Sequence, residues 1–569
     1  MTIQLSDSEV LSADAKVSAE RRSLFRRIDW GAILVTALTV YCLLTRPAIG
    51  LPGLSNVEDD LFYYIVVAQQ LLAGHGSTFN GMVATNGYHP LWLLVITAMQ
   101  PMAGGLNQLI QGVYVLICAS VLATYLLAKG IFRQFISTRA VPELLALLMA
   151  VVAADFLQTG MEIVLAIPLG LFLVLRVLKA GANPTPKEIF LCALLAAMTV
   201  LARLDGAFFV LLLAVFLACD RSLRRSMTSK HAIALLAGML PLLIYFAINL
   251  TFFHSLMPVS GQAKQLRLTH HPSLTVFTWR WLNDWQRVLL PLPLIGIAWL
   301  SLRYRRLAPR SRATLLAMMA FPYLQFGVLS LLSDWPSWPW YFYSFVIASC
   351  GALAILAGDK TRLRAVNSWG ARPLIAALSA LALLAVVHLH HRFFRAMEGM
   401  PRESVLTADF VHHFAASHPG TYAMGDRAGA VAAMMGNPVV QTEGLVMDED
   451  FLVHIRRQEN LLDILRSYGV RYYVATSGYR PIVVTAVEHG APVASGCFIA
   501  REPLLAGPDS PEMEAPLCFP PVATYQAPFC KTWIFDLDQA PVSANDRPGG
   551  SIGTAEKAAV ETAAAPDGN

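Results

Sequence analysis

Charged residues are scarce in this chain of 569 residues: Asp, Glu, Lys and Arg make up 14% of it, and hydrophobic residues make up 56%. A soluble protein of this length would carry about a quarter charged residues. Apolar runs of about 16–22 residues, separated by short basic clusters, predict a helical protein that crosses a membrane many times. The formal net charge of +5 is small, and it gives no reason to expect nucleic-acid binding.

The sequence also lacks the short motifs of several enzyme classes. It contains no P-loop, no G-x-S-x-G, no H-E-x-x-H and no Cys/His cluster with metal-ligand spacing. These absences argue against nucleotide-driven transport, a nucleotide cofactor and the corresponding hydrolases. Of the eight cysteines, Cys497, Cys518 and Cys530 fall in the final polar region, where two could pair if that region is extracytoplasmic.

Basic residues predict the orientation of the chain. Four arginines between residues 21 and 27 precede the first apolar run, which indicates a signal anchor with a cytoplasmic amino end. All later basic clusters fall on the same side if the run at 88–103 does not cross, and that run is short and bounded by Pro90 and Pro101. We therefore predict about eleven crossings, with the carboxyl end outside.

These patterns divide the chain into four parts. A cytoplasmic tail at 1–28 precedes a membrane domain at 29–392, whose first external loop spans 48–107. Residues 393–540 alternate short β-like runs with helical runs, such as one helix predicted over Glu449–Tyr468, and are predicted to form a small extracytoplasmic α/β domain. Residues 541–569 are rich in Ala, Pro and Gly and are predicted to be disordered.

Two adjacent carboxylates, Asp59 and Asp60, open a predicted helix in the first external loop. Ionisable groups beside hydrocarbon are costly and are functional candidates by default, although acids also favour helix N-termini through the helix dipole. Helix N-terminal amides would hold a carboxylate ionised. An ionised carboxylate suits a general base or a ligand of a divalent cation such as Mg²⁺ or Mn²⁺.

Other polar and aromatic groups fall on the same side of the membrane in this topology. His89 and Lys264 could bind a phosphate, and aromatic residues after Ser333 could stack on sugar faces. Each position also has an ordinary explanation as a helix cap, a turn-stabilising ion pair or part of an interfacial belt. The candidates for substrate binding are Tyr63, Glu162, Asp205, Trp335, Trp338, Trp340 and Tyr341.

Together these motifs resemble the GT-C superfamily, whose members are multi-span glycosyltransferases that use polyprenyl-phosphate sugars. The resemblance spans about residues 30–480 and rests on Glu58-Asp59-Asp60, the segments 74–81 and 86–92, Thr159–Glu162, Ala202–Gly206, Met257–Gly261 and the segments 425–429 and 442–446. It implies a polytopic α-helical, GT-C-like fold of the bacterial ArnT/PMT-like or arabinofuranosyltransferase-like branch. Relatives of the dolichyl and aminoarabinose branches usually read Asp-Glu and Pro-Pro where this chain reads Asp59-Asp60 and His89-Pro90.

The resemblance implies an inverting hexosyl- or pentosyltransferase in the bacterial inner membrane. Asp59 or Asp60, with a preference for Asp59, would deprotonate the acceptor hydroxyl, and the other carboxylate would position the acceptor or help hold a divalent cation. Lys264, Arg203 and His89 would stabilise the leaving phosphate. The partners would be a polyprenyl-phosphate-linked sugar, a glycan, lipid or protein acceptor, and the surrounding membrane lipids.

Two other functions stay open at this stage. A transporter of lipid-linked glycans or a polysaccharide-export component should place charged or discontinuous elements near the bilayer midplane, in two matching halves. The runs here are apolar at mid-depth and the sequence shows no repeated halves, which favours the enzyme. The external domain could instead dominate, as an adhesion or assembly module.

Overall fold

The computed structural model describes much of the membrane domain and the α/β part of the chain. Its described residues are 29–45, 50–55, 57–138, 140–180, 183–266, 282, 284–303, 307–333, 335, 337–362, 380, 387, 400–476, 498–500, 515–517, 519–528 and 530–539. The two predicted tails, most of the apolar run at 372–390, which the sequence predicts as the last of the crossings, and Cys497 and Cys518 lie outside these residues.

Apolar helices form most of the described structure. Within the described ranges, five helices are long and apolar enough to cross a membrane: Leu106–Phe132, Ala140–Leu157, Ser229–Phe252, Pro309–Leu332 and Pro339–Gly358. The helices in chain order are α1 (Trp30–Thr45), α2 (Gly50–Leu54), α3 (Asp59–Leu72), α4 (Pro90–Met99), α5 (Leu106–Phe132), α6 (Ala140–Leu157), α7 (Ile163–Lys179), α8 (Pro186–Ala202), α9 (Gly206–Ala218), α10 (Arg221–Ser226), α11 (Ser229–Phe252), α12 (Val259–Ala263), α13 (Asp284–Arg287), α14 (Leu292–Arg303), α15 (Pro309–Leu332), α16 (Tyr343–Arg362), α17 (Met400–Ala415), α18 (Ala428–Met435), α19 (Glu449–Arg456) and α20 (Leu461–Ser467).

A buried lysine joins the beginning of α1 to the end of α5. Lys129 lies 2.5 Å from a carboxylate oxygen of Asp29 and 3.3 Å from one of Glu143. Because this contact places both helix ends at the same end of the bundle, the chain makes an even number of crossings from α1 to α5. Helix α4 has ten residues, about half of what a bilayer crossing requires. The total of eleven crossings stays a prediction.

The bundle therefore has two distinct ends. At the basic end, which carries Lys129, Arg310 donates a hydrogen bond to the carbonyl of Ala180, 2.6 Å away, and so links α15 to the end of α7. The opposite end carries the turns between α6 and α7 and between α8 and α9, and the beginning of α16. We call it the site end.

The carboxyl-terminal part, here called the α/β region (400–539), contains a five-stranded sheet in the order β2-β1-β3-β7-β6. Strands β1 and β2 and strands β1 and β3 are parallel, whereas β7 is antiparallel to β3 and β6. A separate antiparallel pair is formed by β4 and β5. The strands are β1 (Thr421–Met424), β2 (Val439–Gln441), β3 (Val470–Thr476), β4 (Phe498–Ala500), β5 (Ala515–Leu517), β6 (Ala523–Gln526) and β7 (Lys531–Asp536).

The prediction of one amphipathic helix over Glu449–Tyr468 is wrong in one respect. The segment forms two helices, α19 and α20, because Gln458 adopts a left-handed backbone conformation with φ of 54°. The side chain of Asn460 then accepts a hydrogen bond from the N–H of Leu462, 2.9 Å away, and starts the second helix. Asn is among the residues most favoured at such an N-cap.

The α/β region packs directly on the site end of the bundle. Helix α17 contacts α2, and α18 contacts α3. Buried residues of both parts, including Phe62 and Val431, belong to one continuous hydrophobic cluster. The region therefore shares its core with α3, the helix that begins with Asp59 and Asp60.

The buried ion pair at the basic end predicts a stability difference between two variants. Lys129→Met should lower the free energy of unfolding by about 1–3 kcal/mol, because it removes the buried donor that both carboxylates face. Arg133→Met is the matched control, since Arg133 contacts the same Glu143 at 3.1 Å but is 51% exposed; its cost should stay below about 1 kcal/mol. Thermal unfolding in detergent measures both, and equal losses would contradict this reading.

Candidate functional site

The two carboxylates that begin α3 have different surroundings. The oxygens of Asp59 accept hydrogen bonds from the backbone N–H groups of Gly429 and Ala430, at 3.0 and 2.9 Å. No described residue hydrogen-bonds to the carboxylate of Asp60, which instead interacts electrostatically with charged side chains, Lys264 first among them. The oxygens of Asp60 are therefore still able to accept a hydrogen bond from a substrate.

The charges around Asp60 set its protonation. Burial raises the pKa of the Asp60 carboxyl to about 6, with Lys264 and Arg203 opposing the rise and Asp426 and Glu162 adding to it. A carboxyl with this pKa is largely ionised at neutral pH yet more basic than an ordinary Asp. That combination suits a general base.

Arg203 joins two turns at the site end. Its buried guanidinium forms an ion pair with Glu162, and its Nε lies 3.0 and 3.1 Å from the two oxygens of Asp205. It also lies over the rings of Tyr341 and Tyr343, 4.6 and 5.0 Å from their centroids. Burial lowers the pKa of Arg203, but the two carboxylates outweigh burial and raise it. Arg203 is thus a permanent buried cation.

Asp205 connects this cation to α15 and α16. Its carboxylate accepts hydrogen bonds from the hydroxyl of Tyr343 at 2.8 Å and from Nε2 of Gln325 at 2.7 Å. Three donors thus satisfy one buried acid, which fixes the turn that carries it.

His89 enters the network as a neutral imidazole. Its Nδ1 accepts a hydrogen bond from the N–H of Leu204 at 3.2 Å, so Nε2 carries the ring proton and lies 3.6 Å from Oε1 of Glu162. Burial, followed by the charge of Arg203, lowers the pKa of His89 to about 3. His89 could donate one hydrogen bond to a phosphate but would bring no positive charge.

Lys264 lies at the end of a short helix held in place by Asn86. The side chain of Asn86 accepts a hydrogen bond from the N–H of Val259 at 2.8 Å and donates one to Asn249 at 3.1 Å. Directly after this helix, Nζ of Lys264 donates to the hydroxyl of Tyr341 at 2.7 Å. Burial lowers the pKa of Lys264, but Tyr341 and Asp60 raise it above its usual value. Lys264 is the second cation that acts electrostatically on Asp60.

The predicted aromatic residues separate into different environments. Tyr341 lies between Lys264 and Arg203, whereas Trp340 and Trp338 stack on each other with ring centroids 5.9 Å apart. The backbone N–H of Trp335 donates to the hydroxyl of Ser333. The structure thus brings Tyr341 into the charged cluster, with the tryptophans along the segment that precedes it.

Tyr63 and Tyr64 follow the acidic pair on α3. The ring of Tyr63 is buried edge-on against Phe79 at 5.5 Å. The hydroxyl of Tyr64, which the sequence analysis did not select, donates to Oε2 of Glu162 at 3.3 Å. Tyr64 therefore connects α3 to the charged cluster, and Tyr63 packs in the core beside it.

The donor set at the acidic pair does not fit a divalent cation. Among the described residues, no group of three or more His, Cys, Asp or Glu side chains could hold a metal ion. Both oxygens of Asp59 already accept backbone hydrogen bonds. Asp60 interacts electrostatically with Lys264 and Arg203, and these positive charges would repel a metal ion.

Besides Tyr64, three members of the site were missed in the sequence. Gln325 is a polar residue inside an apolar run, which was the available signal. Tyr343 belongs to the aromatic segment but lies beyond the residues selected there. Asp426 belongs to a segment that carried the family resemblance, but it received no role.

The buried network around Arg203 predicts that Arg203→Lys lowers stability more than the same substitution at an exposed arginine. Arg203→Lys keeps the charge, but an ammonium cannot contact Glu162 and Asp205 in the same planar geometry. We expect a loss of about 1–3 kcal/mol of stability, because a buried acceptor loses its donor. Arg402→Lys, at an exposed position of α17, is the control and should change little. Thermal unfolding that does not distinguish the two would contradict this prediction.

No protein-family model and no curated protein matches the sequence. Among solved structures, the chain is similar to ArnT from Cupriavidus metallidurans bound to undecaprenyl phosphate, with 15% identity and a TM-score of 0.49 over 84% of this chain and 99% of that chain. It is similar to the oligosaccharyltransferase AglB from Archaeoglobus fulgidus in complex with an inhibitory peptide and a dolichol-phosphate, at 12% identity and a TM-score of 0.47 over 78% and 68% of the two chains. It is also similar to the arabinosyltransferase EmbB from Mycobacterium smegmatis, at 13% identity and a TM-score of 0.38 over 82% and 45%.

At these TM-scores the likeness carries no inference about substrate, and function has to follow from the site itself. The three proteins are members of the GT-C superfamily, the same superfamily that the sequence motifs of this chain resemble.

Proposed function

We propose that this chain is an inverting membrane glycosyltransferase that moves a sugar from a polyprenyl monophosphate to the hydroxyl of a glycan, lipid or protein acceptor. One observation carries the proposal. Asp60, a carboxylate without a hydrogen-bond partner among the described residues, lies in the electrostatic field of two cations, Lys264 and the buried Arg203, at one end of an apolar helical bundle. A base opposite a cationic anion site is what a displacement at an anomeric carbon requires.

Asp60 is the base in this mechanism. Its carboxylate takes the proton of the acceptor hydroxyl while the hydroxyl oxygen bonds to the anomeric carbon. The bond from that carbon to the phosphate oxygen breaks, and its electron pair leaves with the phosphate. No covalent protein intermediate is needed, so a single displacement inverts the anomeric centre. Although the sequence favoured Asp59, its oxygens are engaged by Gly429 and Ala430.

The leaving phosphate is stabilised by charge already present in the site. Lys264 has three N–H donors, one of which is used by Tyr341. Arg203 contributes a fixed positive charge, and Nε2–H of His89 can add a neutral hydrogen bond. Preorganised charges of this kind act strongly because the site is partly closed to water. The negative charge that develops on the phosphate therefore meets groups that need no reorganisation.

The position of the site favours a lipid-linked donor. Basic residues lie at the end of the bundle opposite the site, and basic ends face the cytoplasm. The site end would then be extracytoplasmic, away from cytosolic nucleotide sugars. An apolar bundle gives a polyprenyl chain a natural environment, with its phosphate at the depth of Lys264.

Replacing the proposed base tests the mechanism directly. Asp60→Asn should lower sugar transfer by about 10²–10⁴-fold, the usual contribution of a general base. The assay uses the purified full chain in lipid nanodiscs with a panel of polyprenyl-phosphate sugars. Asp463→Asn, an exposed acid on α20, is the control and should retain activity. Full activity of the Asp60→Asn variant would contradict this mechanism.

The charges around Asp60 also predict the pH dependence of transfer. A base must be deprotonated, so kcat/KM should fall as the pH drops through about 6, the pKa of the Asp60 carboxyl. Asp426→Asn removes a negative charge that raises this pKa, so the acidic limb should move to lower pH. Lys264→Met removes a positive charge that lowers it, so the limb should move to higher pH.

Both shifts are read from kcat/KM profiles, which report the free enzyme. An acidic limb that stays in place in both variants would exclude Asp60 as the titrating group.

A further inference from the structure

Asp59 forms a direct contact between the membrane helices and the α/β region. It is the first residue of α3, and its carboxylate accepts two hydrogen bonds from the first turn of α18, which starts at Ala428. Backbone N–H groups in a first helical turn have no partner within their own helix. A carboxylate there is also stabilised by the helix dipole. The contact therefore gives hydrogen-bond partners both to the N–H groups of α18 and to the carboxyl oxygens of Asp59.

Two glycines show how closely the α/β region approaches the acidic loop. A Cβ atom on Gly429 would lie 2.6 Å from the carbonyl oxygen of Asp59 and 2.9 Å from its Oδ2. A Cβ atom on Gly87 would overlap the carbonyl oxygen of Leu445. One contact is made by Asp59, the residue before the proposed base Asp60. The other is made by Gly87, two residues before the neutral His89.

The same approach brings an acid of the α/β region to the site. Asp426 lies two residues before α18, and it acts electrostatically on Asp60. Val431, on the following turn of α18, is fully buried in the shared core. The position of Asp426 beside the base therefore depends on how α18 sits on α3.

We propose that Asp59 is a positioning residue that fixes the α/β region on the catalytic loop, so that the α/β region is an integral part of the active site. This inference rests on the proposed function and deepens it. It assigns the two neighbouring acids different tasks: Asp60 exchanges the proton, and Asp59 holds the structure that surrounds it. The α/β region would then contribute to catalysis and would not be an independent adhesion module.

The experiment disturbs the contact from both sides. Asp59→Asn replaces one of the two accepting oxygens with an NH₂ group, and Gly429→Ala pushes the first turn of α18 away while leaving every carboxyl group in place. Asp60→Asn changes an adjacent carboxylate that makes no hydrogen bond to any described residue of α18. Gly327→Ala adds a methyl group where no atom lies within 4 Å. All four use the full chain in nanodiscs and are compared with the wild type by hydrogen exchange and by sugar transfer.

Both contact variants should accelerate amide exchange in residues 425–436 by about tenfold, the effect of losing one hydrogen bond between the two parts. They should lower transfer by about 10–100-fold, as misplacement of a catalytic group does, and should keep an acidic limb in the pH profile because Asp60 remains. Asp60→Asn should lose transfer with unchanged exchange, and Gly327→Ala should change neither.

Two results would overturn the inference. One is unchanged exchange at 425–436 in Asp59→Asn. The other is complete loss of transfer in Asp59→Asn together with normal transfer in Gly429→Ala, which would make Asp59 a chemical participant. If the wild-type protein transfers no sugar from the panel, the proposed function fails, whereas the exchange measurements still decide whether Asp59 holds α18.

Discussion

The buried guanidinium of Arg203 is the interaction on which the rest of the site depends. A charge of this kind is tolerated in a poorly solvated place only if acids neutralise it and occupy its donors. Glu162 and Asp205 do so, and each acid brings further elements with it: Tyr64 of α3 contacts Glu162, and Gln325 of α15 contacts Asp205. The need to neutralise one cation therefore brings together α3, the beginning of α7, the turn between α8 and α9, and α15.

Electrostatic compensation also supports the proposed role of Asp60 as a base. Burial alone would make its carboxyl much weaker as an acid, and two neighbouring acids, Asp426 and Glu162, add to that effect. Lys264 and Arg203 offset part of it, which leaves the pKa close to 6. The same two cations are in place to receive a phosphate. In the proposed mechanism, one group of charges thus prepares both halves of the reaction.

Helix geometry separates the two acids. Consecutive residues on an α-helix point about 100° apart, so the side chains of Asp59 and Asp60 point in different directions. One faces α18 of the α/β region and the other faces the cations. This difference could not be predicted from the sequence, because it depends on a contact between residues 370 positions apart.

Much of the remaining site could be predicted because its residues lie at helix ends. A chain that crosses repeatedly returns alternate helix ends to the same surface, so Glu162, Arg203 and Tyr341 could be placed together from topology. Gln325 was missed because it lies two turns inside α15, where the apolar pattern hides a single polar side chain. The break between α19 and α20 was missed because a left-handed Gln458 has no strong signal in the sequence.

The central claim is that Asp60 and the pair of Lys264 and Arg203 lie on opposite sides of the reacting sugar. A structure of the full chain with a non-transferable polyprenyl-phosphate sugar measures this most directly. The account predicts a phosphate oxygen within about 3 Å of Nζ of Lys264, with the anomeric carbon between the phosphate and the carboxylate of Asp60. A phosphate bound away from Lys264, or an anomeric carbon nearer to Asp59 than to Asp60, would contradict it.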